Sequence, residues 1–440
     1  MSVITSIDFV DLRFPTSESA DGSDAVNKDA DYSAAYLRIN TSDDALYGCG
    51  FTFTIGRGND ICLSVMEEMT ADWIGRDAVA LADDPGAVYR CIAEDSQLRW
   101  LGPDKGVVHL ARAAVLNAVW DMAARHAGQP LWKYIAEMDP ERLVDAFDLS
   151  YLSDVLTRDE AVALLAEQRP QHAERIAELE SRGFPCYTTS AGWLGYSDEK
   201  LARLAKEAVD QGFQHVKLKV GLDIDEDQRR LSVARKAIGP DVHLMIDANQ
   251  IWDVPEAIEK VTALSDHGLL WIEEPTSPDD VLGHKEIAEA VRPLGIGVAT
   301  GEHGMNRVLF KQLLQADAVD YVQIDSCRLA SINEILPVLL MAKKFGKPVC
   351  PHAGGVGLCE LVSHLVMIDY VAVSGEVEGR VAEFVDHLHE HFVDPCLVRN
   401  GAYVLPSQPG YSSEIRTETI RDWAYPHGTE WAARRTAVEA

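Results

Sequence analysis

The amino-acid sequence predicts an α/β fold, a (β/α)8-type (TIM-like) barrel with an N-terminal α+β capping domain that the C-terminal segment completes. Three observations lead to this prediction. From residue 216 onward, apolar runs that each end on an ionisable residue recur at intervals of roughly 25 residues, the length of one strand, one helix and two loops. Apolar residues at helical spacing fill the intervals, whereas the N-terminal part alternates polar and apolar residues as antiparallel strands do.

This pattern also indicates an enzyme, because ionisable residues at the carboxyl ends of successive parallel strands mark the catalytic face of such a barrel. The 440 residues exceed the roughly 250 that a barrel needs, which leaves room for one further domain. We predict a capping domain over residues 1–140, a barrel over 141–394 and a C-terminal segment, 395–440, that packs on the capping domain.

The chain is strongly acidic, with a formal net charge of -30 and a pI of about 4.8. Such a surface repels nucleic acids and anionic membranes, so we expect neither as a partner. An ordinary solubilising surface is the favoured explanation, and adaptation to high salt is the alternative. An anionic substrate would then require local positive charge, which lysines and a metal ion can supply.

The eight cysteines are dispersed and form no C-x-x-C pair. This spacing favours free thiols in a reducing compartment over disulfides or a zinc cluster. The amino terminus lacks a basic region followed by an apolar core, and no apolar run approaches the length of a bilayer span. We therefore expect a soluble, cytoplasmic protein.

The capping domain is predicted to contain three strands, at residues 3–14, 33–41 and 47–55, in an antiparallel sheet. Alanines and large apolar residues at helical spacing predict a largely buried helix over 107–127. The polar stretch 15–32 is too long for a hairpin turn, which makes it a candidate substrate lid. The alternative is a mobile surface loop.

The barrel is predicted to begin with a strand at residues 186–190, after a charged segment, 157–183, that forms an inserted helix pair. The following strand ends carry the chemistry. Alternate residues of a strand share a face, so two lysines two positions apart point the same way. The assignments are Lys217 and Lys219 on strand two, Asp247 on three, Glu273 on four, Glu302 on five, Asp325 on six and His352 on seven.

The three carboxylates of Asp247, Glu273 and Glu302 are expected to converge at adjacent strand ends. Oxygen ligands without cysteine or histidine suit Mg²⁺ better than Zn²⁺. The alternative is that each acid faces solvent at a loop. Three acids at corresponding ends of successive strands favour the shared site instead. Glu274 follows Glu273 directly, and strand alternation is expected to leave it outside the site.

Two adjacent lysines near a divalent cation are expected to depress each other's pKa toward neutrality, so that one of them can act as a base. The alternative is a structural network of the lysines with the acids. His352 beside Asp325 repeats the pattern of a histidine oriented by a carboxylate, which favours a role in proton transfer.

Together these groups specify a reaction class. A carbon acid next to a carboxylate loses its proton only if the resulting enediolate is stabilised, as a divalent metal bound to that carboxylate does while a lysine takes the proton. Loss of a β-hydroxyl needs an acid in addition, and histidine can supply it. The sequence therefore predicts proton abstraction next to a carboxylate, with groups that also suit loss of a β-hydroxyl.

With Lys-x-Lys, three metal acids and an Asp and His pair, the chain resembles the enolase superfamily, mandelate racemase-like subgroup. Within that subgroup it is similar to the L-fuconate dehydratases over nearly its whole length. The segments that carry this similarity are 21–25, 31–36, 96–103, 193–200, 271–280, 351–361 and 383–392.

The resemblance implies a role for each matching residue. Asp247, Glu273 and Glu302 would bind Mg²⁺, Lys219 would be the base at C2, and His352, held by Asp325, would be the acid at the 3-hydroxyl. The product would be 2-keto-3-deoxy-L-fuconate, a step of L-fucose catabolism. The residues expected to contact the substrate are Lys217, Asn249, Glu383 near the end of strand eight, and Gly22, Ser23, Asp24 and Tyr32 in the lid.

The sequence leaves other functions open. A dehydratase of another acid sugar, a racemase or epimerase of the same superfamily, and a non-catalytic protein that retains the fold are the alternatives. We assign no role to His303. His387, His389 and His391 suggest a metal cluster by composition, but we predict that they form the solvent and interface face of one helix. We also expect a homo-oligomer that acts on a small acid sugar.

Overall fold

A computed structural model describes residues 2–102 and 104–439 of the chain. The first domain opens with strands β1 (Ile4–Arg13), β2 (Ser33–Thr41) and β3 (Gly48–Thr54), which form an antiparallel sheet in the order β1-β2-β3. All three lie where the alternating pattern predicted strands. Its helices are α1 (Asn59–Thr70), α2 (Ala78–Asp83), α3 (Pro85–Ala93), α4 (Ser96–Leu101), α5 (Gly106–His126), α6 (Leu131–Glu137) and α7 (Pro140–Asp145).

Helix α5 is the core of this domain and matches the predicted buried helix. Every residue from Ala111 to Ala124 is buried, so the helix has no solvent-facing side, as its apolar composition indicated. The helix lies directly on β3, where a Cβ atom on Gly50 would stand 2.2 Å from the carbonyl oxygen of Ala114. Glycine at that position therefore permits the close approach of sheet and helix.

The second domain contains seven strands whose carboxyl ends face the first domain. In chain order they are β4 (Phe184–Thr188), β5 (His215–Lys219), β6 (His243–Asp247), β7 (Leu269–Glu273), β8 (Gly297–Thr300), β9 (Tyr321–Val322) and β10 (Ala382–Phe384). Strands β4 to β9 pair in parallel in sequence order, and β10 pairs with β4. The first barrel strand is Phe184–Thr188 rather than the predicted 186–190. It ends at Thr188 because the chain turns between Thr189 and Gly192.

The segment predicted as the seventh barrel strand closes the ring through backbone hydrogen bonds, although it is not a regular strand. Cys350 donates its N–H to Val322 at 2.8 Å, and Glu383 donates its N–H to Pro351 at 3.0 Å. The sheet therefore closes as the (β/α) barrel pattern predicted, with β9 and this segment as its irregular part.

Helices surround the sheet. They are α8 (Arg158–Gln168), α9 (His172–Arg182), α10 (Asp198–Asp210), α11 (Ile224–Ile238), α12 (Val254–Leu264), α13 (Val281–Val291), α14 (Arg307–Gln315), α15 (Ile332–Lys344) and α16 (Leu358–Ile368), which continues as a π-helical turn over residues 369–374. Helices α8 and α9 are the predicted inserted pair. A capping box between Thr157 and Glu160 starts α8, as Ser/Thr-x-x-Glu does at helix N-termini.

The C-terminal segment contacts both domains. It contains β11 (Val398–Arg399), β12 (Ala402–Tyr403), α17 (Thr417–Trp423) and α18 (Thr429–Glu439). Strand β12 pairs antiparallel with β4, so the first part of this segment packs on the barrel. The later part does reach that domain, where the Trp431 indole donates to the Arg13 carbonyl at 3.2 Å.

Two further properties concern the whole described chain. Every cysteine is a free thiol, as the dispersed spacing predicted. Among the helices of residues 2–102 and 104–439, none combines the length and the apolar character needed to cross a bilayer.

Candidate active site

A cavity of about 270 Å³ lies at the carboxyl ends of the barrel strands, beneath the first domain. Lys219 and His352 line it from the barrel, and Asp24 and Tyr32 line it from the polar loop of the first domain. The structure therefore brings together the two proposed proton-transfer residues and the proposed lid.

The carboxylates of Asp247, Glu273 and Glu302 converge beside this cavity. One oxygen from each lies within 4.8 Å of the others, and all three residues are buried. An oxygen of Glu302 has no hydrogen-bond partner among the described residues. Burial and the neighbouring carboxylates raise the pKa of Glu273 well above its usual value. A cluster of buried carboxylates fits a hard divalent cation.

The two lysines of β5 are paired with these acids. Lys219 Nζ lies 2.5 Å from an oxygen of Asp247. Lys217 Nζ contacts Glu273 and lies 3.1 Å from Glu383. Both ammonium groups are buried, yet each has several carboxylates to compensate its charge.

Within the protein chain alone, this pairing favours the charged form of both lysines. Burial lowers the pKa of Lys219, but the negative charge of Asp247 outweighs burial and raises it above the usual value. The pKa of Lys217 is raised well above its usual value in the same way, by Glu273 and Glu383 against burial. The expected mutual depression of the two lysines is therefore a smaller effect than their attraction to the carboxylates.

His352 and Asp325 form the predicted pair. His352 Nδ1 lies 2.8 Å from Asp325 Oδ2, while the other Asp325 oxygen accepts the backbone N–H groups of Cys327 and Arg328 at 2.7 and 2.8 Å. These bonds fix the carboxylate and so orient the imidazole. Burial lowers the pKa of His352, but Glu302 and Asp325 outweigh it and raise the pKa to about 10. The ring is thus protonated at neutral pH and can donate a proton.

Glu383 stands at the end of β10 and connects the two sides of the site. Its carboxylate accepts a hydrogen bond from the Thr189 hydroxyl and another from the Ala353 N–H, the latter at 2.9 Å. Although burial raises its pKa, Lys217 and His352 lower that pKa to about 2. Glu383 is therefore an anion whose position is fixed by its neighbours.

Asn249 also lines the cavity. Its backbone N–H donates to Asp247 at 2.9 Å. Its side-chain oxygen is buried and has no hydrogen-bond partner within the part of the chain that the structure covers. This oxygen can accept a hydrogen bond from a bound ligand.

The loop of residues 15–32 lies over the cavity and is attached to the barrel. The Ser23 hydroxyl donates to the Leu194 carbonyl at 2.5 Å, and the Leu194 N–H donates to the Ser23 carbonyl at 3.1 Å. Gly22 packs on the Tyr32 ring so closely that a Cβ atom would stand 2.5 Å from it. Asp24 shapes the loop by accepting two backbone N–H groups within it.

The sequence did not predict a group of polar side chains around Glu274, beside the carboxylate cluster. Glu274 was expected outside the site, but it is buried, with its backbone at φ 42, so the chain turns there and strand alternation no longer applies. His303 Nδ1 lies 2.7 Å from Glu274, and the Gln250 amide donates to the same carboxylate at 3.0 Å. The signal that could have revealed this group is the histidine that directly follows Glu302.

The three histidines near residue 390 do not form one helical face, which corrects that prediction. Only residues 389–391 form a short 3-10 turn, and the three rings have different surroundings. His387 lies 5.2 Å from the Tyr32 ring, His391 stacks on Phe14 at 4.4 Å, and His389 bonds to Glu360 at 2.7 Å. Among the residues that the structure describes, the three do not belong to one group of potential metal ligands.

Two family models match most of the chain. Residues 24–136 match the mandelate racemase / muconate lactonizing enzyme N-terminal domain, and residues 200–419 match the enolase C-terminal domain-like family. The matched regions contain the lid residues from Asp24 onward and all the barrel residues of the site.

Individual relatives match over nearly full length. Human mitochondrial enolase superfamily member 1 is 51% identical over 99% of both chains, and its crystal structure superposes with a TM-score of 0.96 over 98% of both chains. An L-galactonate dehydratase from Hypocrea jecorina is 51% identical over 97% of this chain and 96% of its own. A more distant structure, L-talarate dehydratase from Polaromonas with Mg and L-glucarate, has a TM-score of 0.71 at 23% identity, covering 97% and 98% of the two chains.

Proposed function

This chain belongs to the enolase superfamily, and from that membership we propose that it is a Mg²⁺-dependent acid-sugar dehydratase that converts L-fuconate to 2-keto-3-deoxy-L-fuconate. The observation that carries the proposal is the shared cavity of Lys219 and His352, next to the carboxylate cluster. One residue can take a proton from carbon while the other gives a proton to a leaving hydroxyl.

The metal would be held by Asp247, Glu273 and Glu302, whose converging oxygens suit Mg²⁺. When bound, the ion supplies positive charge that favours both the neutral Lys219 amine and the enediolate form of the substrate. The convergence of three buried carboxylates supports this assignment.

The protein residues account for both proton transfers. Lys219 takes the proton from C2, and Lys217 holds the substrate carboxylate. The electron pair left at C2 forms the C2–C3 double bond as the 3-hydroxyl leaves with a proton from His352. One water molecule is lost, and the resulting enol becomes the 2-keto product. Asp325 keeps the His352 ring oriented throughout, because it holds Nδ1 at 2.8 Å.

Substrate contacts would come from the remaining polar groups of the cavity. Asn249 has a free side-chain oxygen, and Glu383 is an anion, so both suit sugar hydroxyl groups. Gly22, Ser23, Asp24 and Tyr32 would cover the sugar from above, since their loop is attached to the barrel through Ser23 and Leu194.

L-Galactonate is the second candidate substrate, because a relative with 51% identity is an L-galactonate dehydratase. L-Fuconate is the 6-deoxy form of L-galactonate, so the two acids have the same configuration at C2 and C3, where the chemistry occurs. Discrimination between them depends on contacts at C6, where one carries a methyl group and the other a hydroxymethyl group.

The test is a screen of purified protein against acid sugars in the presence of Mg²⁺, with detection of 2-keto products. We expect turnover of L-fuconate, with L-galactonate as the informative comparison. Turnover of L-galactonate but not of L-fuconate would show that L-galactonate is the substrate, and the proposed reaction would still hold. Exchange or inversion at C2 without loss of water would establish a racemase or epimerase, and no reaction with any acid sugar would contradict the proposal as a whole.

A further inference from the structure

A second group of metal-ligating side chains lies outside the cavity, at the start of α16. Cys359, His389 and Cys396 are far apart in sequence, but one ligand atom from each lies within 4.8 Å of the others. None of the three lines the active-site cavity. The group joins the barrel to the C-terminal segment, because Cys359 belongs to α16 and Cys396 precedes β11.

A buried acid lies beside this group. Glu360 is 0% exposed, and one of its oxygens lies 2.7 Å from His389 Nδ1. The sulfur of Cys396 lies 3.5 Å from the same ring nitrogen. The second Glu360 oxygen is buried and lacks a hydrogen-bond partner in residues 2–102 and 104–439. Such an oxygen is costly unless a further ligand satisfies it.

The histidine is oriented as a metal ligand would be. Its Nε2 lies 2.8 Å from the Val385 carbonyl, which can accept only from a protonated nitrogen. Nδ1 therefore faces the Cys396 sulfur and the Glu360 carboxylate. Histidines that bind metals commonly donate their other ring N–H to a backbone carbonyl, which fixes the tautomer and the ring plane.

We propose that Cys359, His389 and Cys396 form a structural Zn²⁺ site, distinct from the active-site carboxylates, in which Glu360 moves from His389 to supply the fourth donor. Two thiolates, one imidazole nitrogen and one carboxylate oxygen make up four donors of the types that tetrahedral zinc prefers. The active-site cluster has only oxygen donors and so suits a harder cation. Binding would release the thiol protons and the proton shared by His389 and Glu360.

The proposed site would stabilise the loop that carries His352. The Cys359 thiol lies 3.5 Å from the Ala353 carbonyl, and the Ala353 N–H donates to Glu383 at 2.9 Å. A metal bound to Cys359 would therefore connect the C-terminal segment with the backbone next to His352. This inference does not depend on the substrate, since it concerns the assembly of the fold around the cavity.

The test is a Co²⁺ titration of the full-length, metal-free protein under reducing conditions. Thiolate ligands produce a sulfur-to-cobalt charge-transfer absorption, which the oxygen ligands of the active site cannot produce. We expect this absorption to saturate with one equivalent of Co²⁺ and to disappear when Zn²⁺ displaces it. It should persist in Asp247→Asn, which removes an active-site carboxylate, and in Cys91→Ser, which removes an exposed thiol elsewhere.

Substitutions within the site provide the matched comparison. Cys396→Ser should abolish the absorption, and Glu360→Gln should weaken Co²⁺ binding, because it replaces a charged oxygen donor with a neutral one. X-ray absorption of the zinc-loaded unmodified protein should show two sulfur ligands at about 2.3 Å, and this result requires no variant to fold. The proposal is overturned if the reduced protein shows no charge-transfer absorption, if Cys396→Ser keeps it, or if Cys359 and Cys396 form a disulfide instead.

Discussion

Lys219 Nζ lies 2.5 Å from an oxygen of Asp247, so the proposed base and a proposed metal ligand form one ion pair. Lys219 can act as a base only as the neutral amine. When no metal ion binds Asp247, the negative charge of this carboxylate favours the ammonium form of Lys219. Removal of the metal is therefore expected to affect both substrate binding and proton abstraction.

The division of labour between Lys219 and His352 can be tested by isotope exchange. Lys219→Ala should lose both dehydration and exchange of the C2 hydrogen with D₂O, because no other residue is proposed to take that proton. His352→Asn should lose dehydration by about 10²- to 10⁴-fold, the usual contribution of a general acid, and still exchange the C2 hydrogen. Proton NMR of L-fuconate in D₂O measures both reactions.

Circular dichroism of both variants serves as the folding control for that experiment. Exchange in Lys219→Ala together with none in His352→Asn would reverse the assignment and make His352 the base. Loss of exchange in both variants would show that the two residues act in one step.

Turnover is expected to depend on a divalent metal. Chelation should abolish activity, and Mg²⁺ should restore it, because the buried acids would otherwise repel a carboxylate substrate. Glu302→Gln should lower kcat/KM by at least about 10²-fold, since a metal contributes several kcal/mol to such reactions. Glu286→Gln, an exposed change on α13, is the matched control. Full activity in chelator-treated, metal-free protein would disprove the metal assignment.

The loop over the cavity is expected to determine substrate use rather than chemistry. Asp24 accepts the Val26 N–H at 2.8 Å and also bonds to Asn27, so Asp24→Ala should loosen the loop and remove a polar group from the cavity. We expect kcat/KM to fall by roughly tenfold or more, since hydrogen bonds to charged groups contribute about 1.5 to 3 kcal/mol. Metal affinity, measured by calorimetry, should not change.

Asp29→Ala is the control for this loop, because Asp29 lies on the same segment but is exposed. Equal kinetics of Asp24→Ala and the unmodified protein across several acid sugars would show that the loop is an ordinary surface segment.

A buried ion cluster between the domains should determine stability in acid. Glu334 lies 2.8 Å from His109 of α5 and 2.9 Å from Arg307. Although burial raises its pKa, these partners lower it to about 2. Because the folded pKa is below the usual value of 4.5, the stabilisation is fully present above that pH and is lost as the pH falls toward 2. Chemical unfolding between these two pH values measures the loss.

Glu334→Gln should lower the free energy of unfolding by about 3 to 5 kcal/mol at neutral pH, because it removes the buried negative charge that pairs with Arg307. Its loss of stability below pH 4.5 should be smaller than that of the unmodified protein. Glu207→Gln breaks an exposed pair with Arg203 and should cost less than about 0.5 kcal/mol. Similar costs for the two substitutions would contradict the role assigned to Glu334.

The sequence by itself determined the barrel, its strand ends and the residues on them. This was possible because the signals are local: strand alternation places Lys217 and Lys219 on one face, and the βα repeat places Asp247 at the same edge of the sheet as its successors. Strands β5, β6 and β7 end at Lys219, Asp247 and Glu273 as predicted. Strands β8 and β9 end before Glu302 and Asp325, and the segment that leads to His352 is not a regular strand.

Only the tertiary structure decided which distant groups meet and what charge state they favour. The turn at Glu274 breaks the alternation rule and brings that residue to His303. Cys359 and Cys396 converge through packing of the C-terminal segment on the barrel. The direction of the Lys219 pKa shift likewise depended on a distance to Asp247, because electrostatic effects follow separation in space and burial rather than separation along the chain.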